Sequence, residues 1–409
     1  MAYVPRLLDR HLDSLLRHHP AMLLTGPRAT GKTTTGARHA ATVVSLDEPV
    51  QASAVEADPD QLLSGLPEPV LVDEWHLAPT VLGAIKRAVD RDPRPGRFLV
   101  TGSVRADLES AMWPGTGRLI RVPMYGMTVK ELQGRLDSSC LLDRLAAGER
   151  PEAPADQLNV RDYVELALRG GFPDTATRLP AEERPRWFAS YVDQLLTRDV
   201  DLLGETRDPA RLRRYFEVYA LNSAGSISDA TLQDAAGVNH KTAAAYERLL
   251  VNLLVVERMP AWSSHRVARL TRAPKRYLVD PGLLIGIHPI TADAVLRDGD
   301  LLGRLLDGFA VAQLRAELPM SEHLVRLYHL RTQQGRHEVD VIAELDADRV
   351  IGIEVKATSA PRASDATHLA WLRDELGERF VAGIVLNTGP YVFSLGERVI
   401  AAPISTLWS

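Results

Sequence analysis

Gly26-Pro27-Arg28-Ala29-Thr30-Gly31-Lys32-Thr33-Thr34 decides how this chain is read. Gly26 through Thr33 fit the phosphate-loop pattern G-x-x-x-x-G-K-[ST] at every position. The run follows a short apolar stretch, Ala21–Thr25, that reads as a strand, and it opens a helical pattern. Its glycines let the backbone curl so that N–H groups point at phosphate oxygens, and the start of the next helix adds a favourable dipole. Lys32 is expected to bind the β- and γ-phosphates of ATP, and Thr33 to ligate Mg²⁺.

Working outward, Val70-Leu71-Val72-Asp73-Glu74 is an apolar strand ending in two carboxylates. Asp73 is expected to hold Mg²⁺, directly or through water, and Glu74 to polarise the attacking water. Leu99-Val100-Thr101-Gly102-Ser103 ends a further apolar strand in small hydroxyl residues. Thr101 or Ser103 could orient that water as a sensor; an ordinary strand-to-loop turn is the competing reading. Arg118 is a candidate arginine finger toward a neighbouring subunit, with an exposed structural arginine as its alternative. Val43–Leu46 is another short apolar run, and Thr80–Val89 has helical spacing. Short apolar strands alternating with helices predict a parallel, three-layer α/β sheet.

The composition bounds the rest. A chain of 409 residues is expected to form two or three domains. A net charge of −5 excludes a generally basic nucleic-acid coat. The single cysteine, Cys140, excludes an intrachain disulfide and a cysteine-based zinc site, in keeping with a reducing cytoplasm. The first twenty residues mix charge with their leucines, so they do not read as a signal peptide. No apolar run approaches the ~20 residues of a membrane helix. The chain is therefore expected to be soluble and cytoplasmic.

The boundaries fall at 1–133 for the phosphate-loop domain, 134–208 for a linker and helical lid, 209–290, and 295–409. Residues 134–156 read as a loose, Pro-containing linker or exposed arm. Within 209–290, three helical patterns precede two short strands, the layout of a winged helix-turn-helix. Residues 211–280 hold eleven Lys+Arg against six Asp+Glu. Six of those basic residues lie in the wing, Arg258–Arg276, with Trp262 and His265 and no acid. Such a hairpin could lie along a DNA backbone, with His240 and Lys241 starting the third helix. Packing between domains is the alternative use.

In 295–409, Glu338-Val339-Asp340 is followed by Glu354-Val355-Lys356, fourteen residues after Asp340. On adjacent strands, Asp340 and Glu354 could meet across the ladder and bind Mg²⁺, with Asp307 of the preceding helix as a third carboxylate. Lys356 would then hold a water or the charge developing on phosphorus. In the competing reading, Lys356 merely neutralises Glu354.

With these residues in hand, the chain resembles the large prokaryotic family of AAA-type P-loop ATPases with a C-terminal domain of unknown function. The resemblance rests on Gly26–Thr34, Asp73-Glu74, Val100–Ser103, Gly117-Arg118, Gly170–Pro173, Arg198-Asp199, Pro274–Leu283 and Gly335–Lys356, in that order. It implies an AAA-like ATPase, a winged helix and a small α/β PD-(D/E)xK restriction-endonuclease-like fold. One departure stands out. The family's helix acid, often Glu in Leu-Leu-Glu-Asn, is here Asp307 in Leu305-Leu306-Asp307-Gly308. The preference for ATP follows from the resemblance alone, and self-association into a homo-oligomer is expected of a lone P-loop domain.

Overall fold

A computed structural model describes residues 3–102, 117–155, 157–199, 208–225, 227–264, 273–332, 336–346 and 348–409. The chain forms two compact units, Met1–Met127 with Leu250–Val255, and Thr128–Leu249 with Val256–Ser409.

In the first unit, β1 (Ala21–Thr25), β2 (Thr42–Ser45), β3 (Val70–Asp73), β4 (Phe98–Gly102) and β5 (Leu119–Pro123) build one sheet in the order β2-β3-β4-β1-β5. Every pairing in it is parallel. α1 (Leu7–Leu16) precedes the sheet, and the crossover helices include α2 (Lys32–Arg38), α3 (Pro49–Ala57), α4 (Pro59–Ser64) and α5 (Thr80–Arg91). Val70, Val72, Phe98 and Val100 are wholly buried, with Val81, Leu82 and Ile85 of α5 in the same core. Burial of such side chains contributes roughly 1.5–3 kcal/mol each, and this fixes the strand ends that carry the loops. β4 lies between β1 and β3, so Thr25, Asp73 and Thr101 gather at one carboxyl edge. The fifth strand escapes the sequence reading because its burial is interrupted. Ile120, Arg121 and Pro123 are exposed at the sheet edge, leaving no apolar run to see.

The second unit begins with α6 (Val129–Leu132) and α7 (Leu141–Ala146). The latter corrects the reading of 134–156 as a loose arm. Leu141, Leu142 and Leu145 share one face of α7 and are buried, and Arg144 donates to the Thr406 carbonyl at 3.0 Å. Next come α8 (Val160–Arg169), α9 (Arg184–Gln194), α10 (Pro209–Leu221), α11 (Asp229–Ala236) and α12 (His240–Asn252). Ser228 caps α11, Gly237 closes it at φ 67°, and Asn239 accepts from the Thr242 amide at 2.9 Å to start α12. An antiparallel hairpin follows, β6 (Val256–Met259) and β7 (Lys275–Leu278).

After α13 (Leu283–Ile287), α14 (Ala292–Arg297) and α15 (Gly299–Glu317) comes a mixed six-stranded sheet. Its strands are β8 (Val325–Arg331), β9 (Glu338–Leu345), β10 (Arg349–Lys356), β11 (Phe380–Asn387), β12 (Phe393–Gly396) and β13 (Val399–Pro403), in the order β12-β13-β11-β10-β9-β8. The sheet is buried on both faces. Ile351 and Ile353 point one way, and Val350 and Gly352 face α16 (Thr367–Leu376), where a Cβ on Gly352 would meet Leu369 at 2.7 Å. Glu354 continues that second row into a buried setting.

Candidate functional site

The phosphate loop is held in shape by its own backbone. A Cβ at Gly26 would meet the Met124 carbonyl oxygen at 2.0 Å, so no other residue fits there. Gly31, at φ 92°, and Ala29, at φ 59°, turn the chain through the left-handed region. Thr30 ties the loop across itself, donating to the Pro27 carbonyl at 2.9 Å. Arg28 is half-buried, and Thr34 is exposed on the first turn of α2.

Lys32 is 5% exposed and donates to two loop carbonyls, Gly26 at 3.0 Å and Pro27 at 2.8 Å. Burial pushes its ammonium down to about 8, with Glu74 and Asp73 pulling the other way. Among the described residues its hydrogen bonds go to carbonyl oxygens, so it is a buried cation held by dipoles beside a loop shaped for an anion.

The carboxylate end of the site is one hydrogen-bonded chain. Thr33 Oγ1 donates to Asp73, lying 2.8 Å from Oδ1 and 3.0 Å from Oδ2. Thr101 also donates to Asp73 Oδ1, and it accepts from the Glu74 amide at 3.3 Å. Thr101 is 1% exposed and Asp73 6%. Glu74 itself stands at φ 52°, a strained backbone for a non-glycine residue, with a half-exposed carboxylate 3.3 Å from His76 Nδ1. The structure therefore brings Lys32, Thr33, Asp73, Glu74 and Thr101 together. The fit to ATP and Mg²⁺ rests on a cradle that a Cβ would fill, a buried ammonium, and a hydroxyl already turned toward a carboxylate.

Ser103 lies outside the described residues, as do the side chains of Arg198 and Asp199. Arg118 precedes β5 at the amino edge of the sheet, since Leu119 pairs with Ala21 and Pro123 with Thr25. There its guanidinium donates to Asp90 at 2.8 Å, at the end away from its own phosphate loop.

The sequence reading missed the brace behind the loop. Arg6, 6% exposed, donates to the carbonyls of Thr30 at 3.0 Å, Tyr125 at 2.9 Å and Gly126 at 3.3 Å. Tyr3 adds a 3.2 Å hydroxyl contact with Thr35 of α2, and Arg38 stacks on the Tyr3 ring at 4.4 Å. No motif marks Arg6, because what it recognises is backbone.

The second cluster lies in the other unit. Asp307 on α15 and Asp340 on β9 do converge, but on a lysine, and Glu354 on β10 lies beside Asp340. Lys275 of β7 places Nζ 2.5 Å from Asp307 Oδ2 and 3.1 Å from Asp340 Oδ1. Burial alone would lower its pKa, yet the two carboxylates hold it well above the ordinary lysine value. Tyr277 donates to Asp307 Oδ1 at 3.2 Å, and the Val355 amide to Asp340 Oδ2 at 3.1 Å. Lys356 Nζ lies 2.8 Å from Glu354 Oε2, while Glu354 Oε1, in a residue 2% exposed, has no hydrogen-bond partner. Burial and the nearby Asp340 charge push Glu354 up to about 8, and burial raises Asp307 to about 6.

This corrects the expected metal assignment to Asp307, Asp340 and Glu354. Among the described residues, no three His, Cys, Asp or Glu side chains are disposed to hold a metal ion. The physical reason is the ammonium already shared by two of the carboxylates.

Part of the expected basic hairpin turns inward. Arg276 is 5% exposed and ion-paired with Glu247 at 2.7 Å and with Asp229. Trp262 is 4% exposed and donates to Glu344 at 2.8 Å. Lys275, Arg276 and Trp262 therefore face protein, whereas Arg258, His240 and Lys241 remain exposed. His265, Arg266, Arg269 and Arg272 lie outside the described residues.

Residues 18–133 match the family model of an AAA domain, and 160–294 and 302–407 match two domains of unknown function, DUF8612 and DUF4143. Uncharacterized protein Rv2008c of Mycobacterium tuberculosis is 31% identical over 397 residues, covering 96% of this chain and 82% of its own length. Uncharacterized protein Mb2031c of Mycobacterium bovis gives the same figures, 31%, 96% and 82%. Among solved structures, the Walker-type ATPase PABY2304 of Pyrococcus abyssi overlaps 68% of this chain and 94% of its own, at 12% identity and a TM-score of 0.42. AMPPCP-bound DnaA from Aquifex aeolicus overlaps 60% and 86%, at 14% identity and a TM-score of 0.25. Overlaps this loose carry no weight for fold or function. Among the described residues, no helix is long and apolar enough to cross a membrane.

Proposed function

The chain belongs to the same family as these two mycobacterial proteins, with an AAA-type P-loop domain at residues 18–133, and on that premise we propose that it binds and hydrolyses ATP to switch a C-terminal half that handles DNA without cutting it. The observation that carries the ATPase reading is the hydrogen-bonded chain from Thr33 through Asp73 and Thr101 to the Glu74 amide.

The loop amides and Lys32 bind the β- and γ-phosphates; a triphosphate oxygen takes over the ammonium from the carbonyls of Gly26 and Pro27. Thr33 and Asp73 would hold Mg²⁺, which supplies neutralisation of phosphate charge. Glu74 accepts a proton from the attacking water as its oxygen bonds to the γ-phosphorus and the bond to the β–γ bridging oxygen breaks, leaving ADP and phosphate. Thr101 fixes both the Asp73 carboxylate and the backbone that aims Glu74. In the finger reading Arg118 leaves Asp90 and acts on the nucleotide of another copy of the chain, which ties that role to a homo-oligomer.

Exposed His240 and Lys241 at the start of α12, with exposed Arg211 and Arg258, support DNA contact by a winged helix. Lys275 between Asp307 and Asp340 favours the non-cleaving reading over the metal-dependent nuclease.

The test is phosphate release from Mg²⁺-ATP with and without DNA. Glu74→Gln is expected to keep nucleotide binding and to lose about 10²-fold or more in turnover. Turnover at the wild-type rate in that variant would remove the general-base assignment. Duplex affinity that falls steeply with salt supports the DNA reading, and no binding at low salt overturns it.

A further inference from the structure

We infer that Lys275 is a built-in plug: hairpin β6–β7 carries its ammonium into the seat that Asp307, Asp340 and Glu354 would otherwise offer a divalent cation, and it keeps that seat shut. The inference rests on the non-cleaving reading of this cluster and supplies its cause.

The oxygens themselves make the case. Asp307 spends Oδ1 on Tyr277 and Oδ2 on Lys275. Asp340 spends Oδ1 on Lys275 and Oδ2 on the Val355 amide. Glu354 spends Oε2 on Lys356, and only Oε1 is left over. A hard divalent cation needs several oxygens at close range with lone pairs free on one side. Here the ammonium occupies the point toward which Asp307 and Asp340 converge, and two like charges do not share the same oxygens.

A purely structural ion pair does not account for this arrangement. Two carboxylates already neutralise the buried lysine, and a packed core gains nothing from burying a third acid beside them. Three acids from α15, β9 and β10 meet two ammoniums here, Lys275 on Asp307 and Asp340 and Lys356 on Glu354. The plug also comes from outside the sheet that holds the acids. Lys275 precedes Asp307 by 32 residues and Asp340 by 65, on a separate two-stranded hairpin.

The full chain, without nucleotide, is titrated with Mn²⁺, and free Mn²⁺ is read by electron paramagnetic resonance. Wild type is expected to show no Mn²⁺ site that Asp340→Asn removes. Lys275→Gln, which keeps a polar side chain without the charge, should gain one Mn²⁺ per chain, and Lys275→Gln combined with Asp340→Asn should lose it again. Circular dichroism checks folding, and Lys275→Met replaces Lys275→Gln if the latter does not fold. A folded Lys275 variant that gains no Mn²⁺ overturns the plug while leaving the non-cleaving reading in place. A wild-type Mn²⁺ site lost in Asp340→Asn, with metal-dependent cutting of plasmid DNA, overturns both. If neither Lys275 variant folds, the wild-type comparison alone decides, absence of that site supporting the plug and its presence overturning it.

Discussion

Lys32 and Lys275 are both buried to about the same depth, 5% and 4% exposed, and they answer burial in opposite ways. Among the described residues Lys32 donates to carbonyl oxygens, and burial outweighs the pull of Glu74 and Asp73, so its pKa falls to about 8. Lys275 meets two carboxylates, and its pKa rises. Burial strips water from each, so the partner decides the outcome. A buried ammonium held by dipoles is under-satisfied and draws an anion. One held by carboxylates is already neutralised, and it denies those carboxylates to a metal. The same residue type thus makes an open site in one unit and a closed one in the other.

That contrast can be broken by experiment, and the largest effect belongs to the closed site. Asp307→Ala leaves Lys275 with Asp340 alone and should cost the second unit about 3–5 kcal/mol, read as an early unfolding step in urea with ATP turnover kept. A loss under about 1 kcal/mol would mean that the pair is not neutralising charge as described.

At the open site, Lys32→Ala should weaken nucleotide binding by about 10–100-fold, the worth of a charge-assisted contact, with little loss of stability. Calorimetry at low and moderate salt checks it. Equal affinity would place the triphosphate elsewhere.

Asp280 extends the comparison to a buried acid. It accepts from the Gly171 amide at 2.7 Å and the Gly282 amide at 2.8 Å, so it too is held chiefly by dipoles. Burial pushes it to about 6 from the ordinary 3.8, against the pull of those amides and of Arg315 and Arg169. Between these values the folded chain keeps a proton that the unfolded chain releases. Stability from this group is therefore fullest below 3.8, falls as pH rises, and levels off above about 6. Wild type should lose on the order of 1–3 kcal/mol relative to Asp280→Asn across that window, measured by urea unfolding at several pH values.

The smallest effect is at Thr101. Thr101→Val removes the hydroxyl that joins Asp73 to the Glu74 amide and should slow turnover about tenfold while sparing nucleotide affinity. An unchanged rate would make Thr101 a packing residue.

Much of the first unit was legible because its signals are local. Gly26, Gly31 and Lys32 encode a loop within a few residues, and Val70–Val72 followed by acids encodes a strand end. β5 was not legible, because an edge strand with exposed Ile120 and Arg121 shows no apolar run. Nor was α7, whose three leucines lie in a charged, Pro-containing stretch. β12 and β13 were missed as well; Phe393–Gly396 is short and mostly surface, and Val399–Pro403 is brief and rich in alanine. Arg6 carried no signal at all, since its partners are carbonyls about 24 and 120 residues away.

The sequence by itself determined the α/β class, the phosphate loop, the acids at the end of β3 and the closeness of Glu354 to Lys356. Each of these follows from residues close together in the chain, where backbone geometry ties spacing to position. Only the tertiary structure decided that Lys275, Arg276 and Trp262 turn inward, and that an ammonium rather than an open gap lies among the later acids. Basic residues look alike in a sequence whether they face water or a carboxylate brought near by folding. Which one they face depends on contacts across dozens of residues, and no local pattern records those.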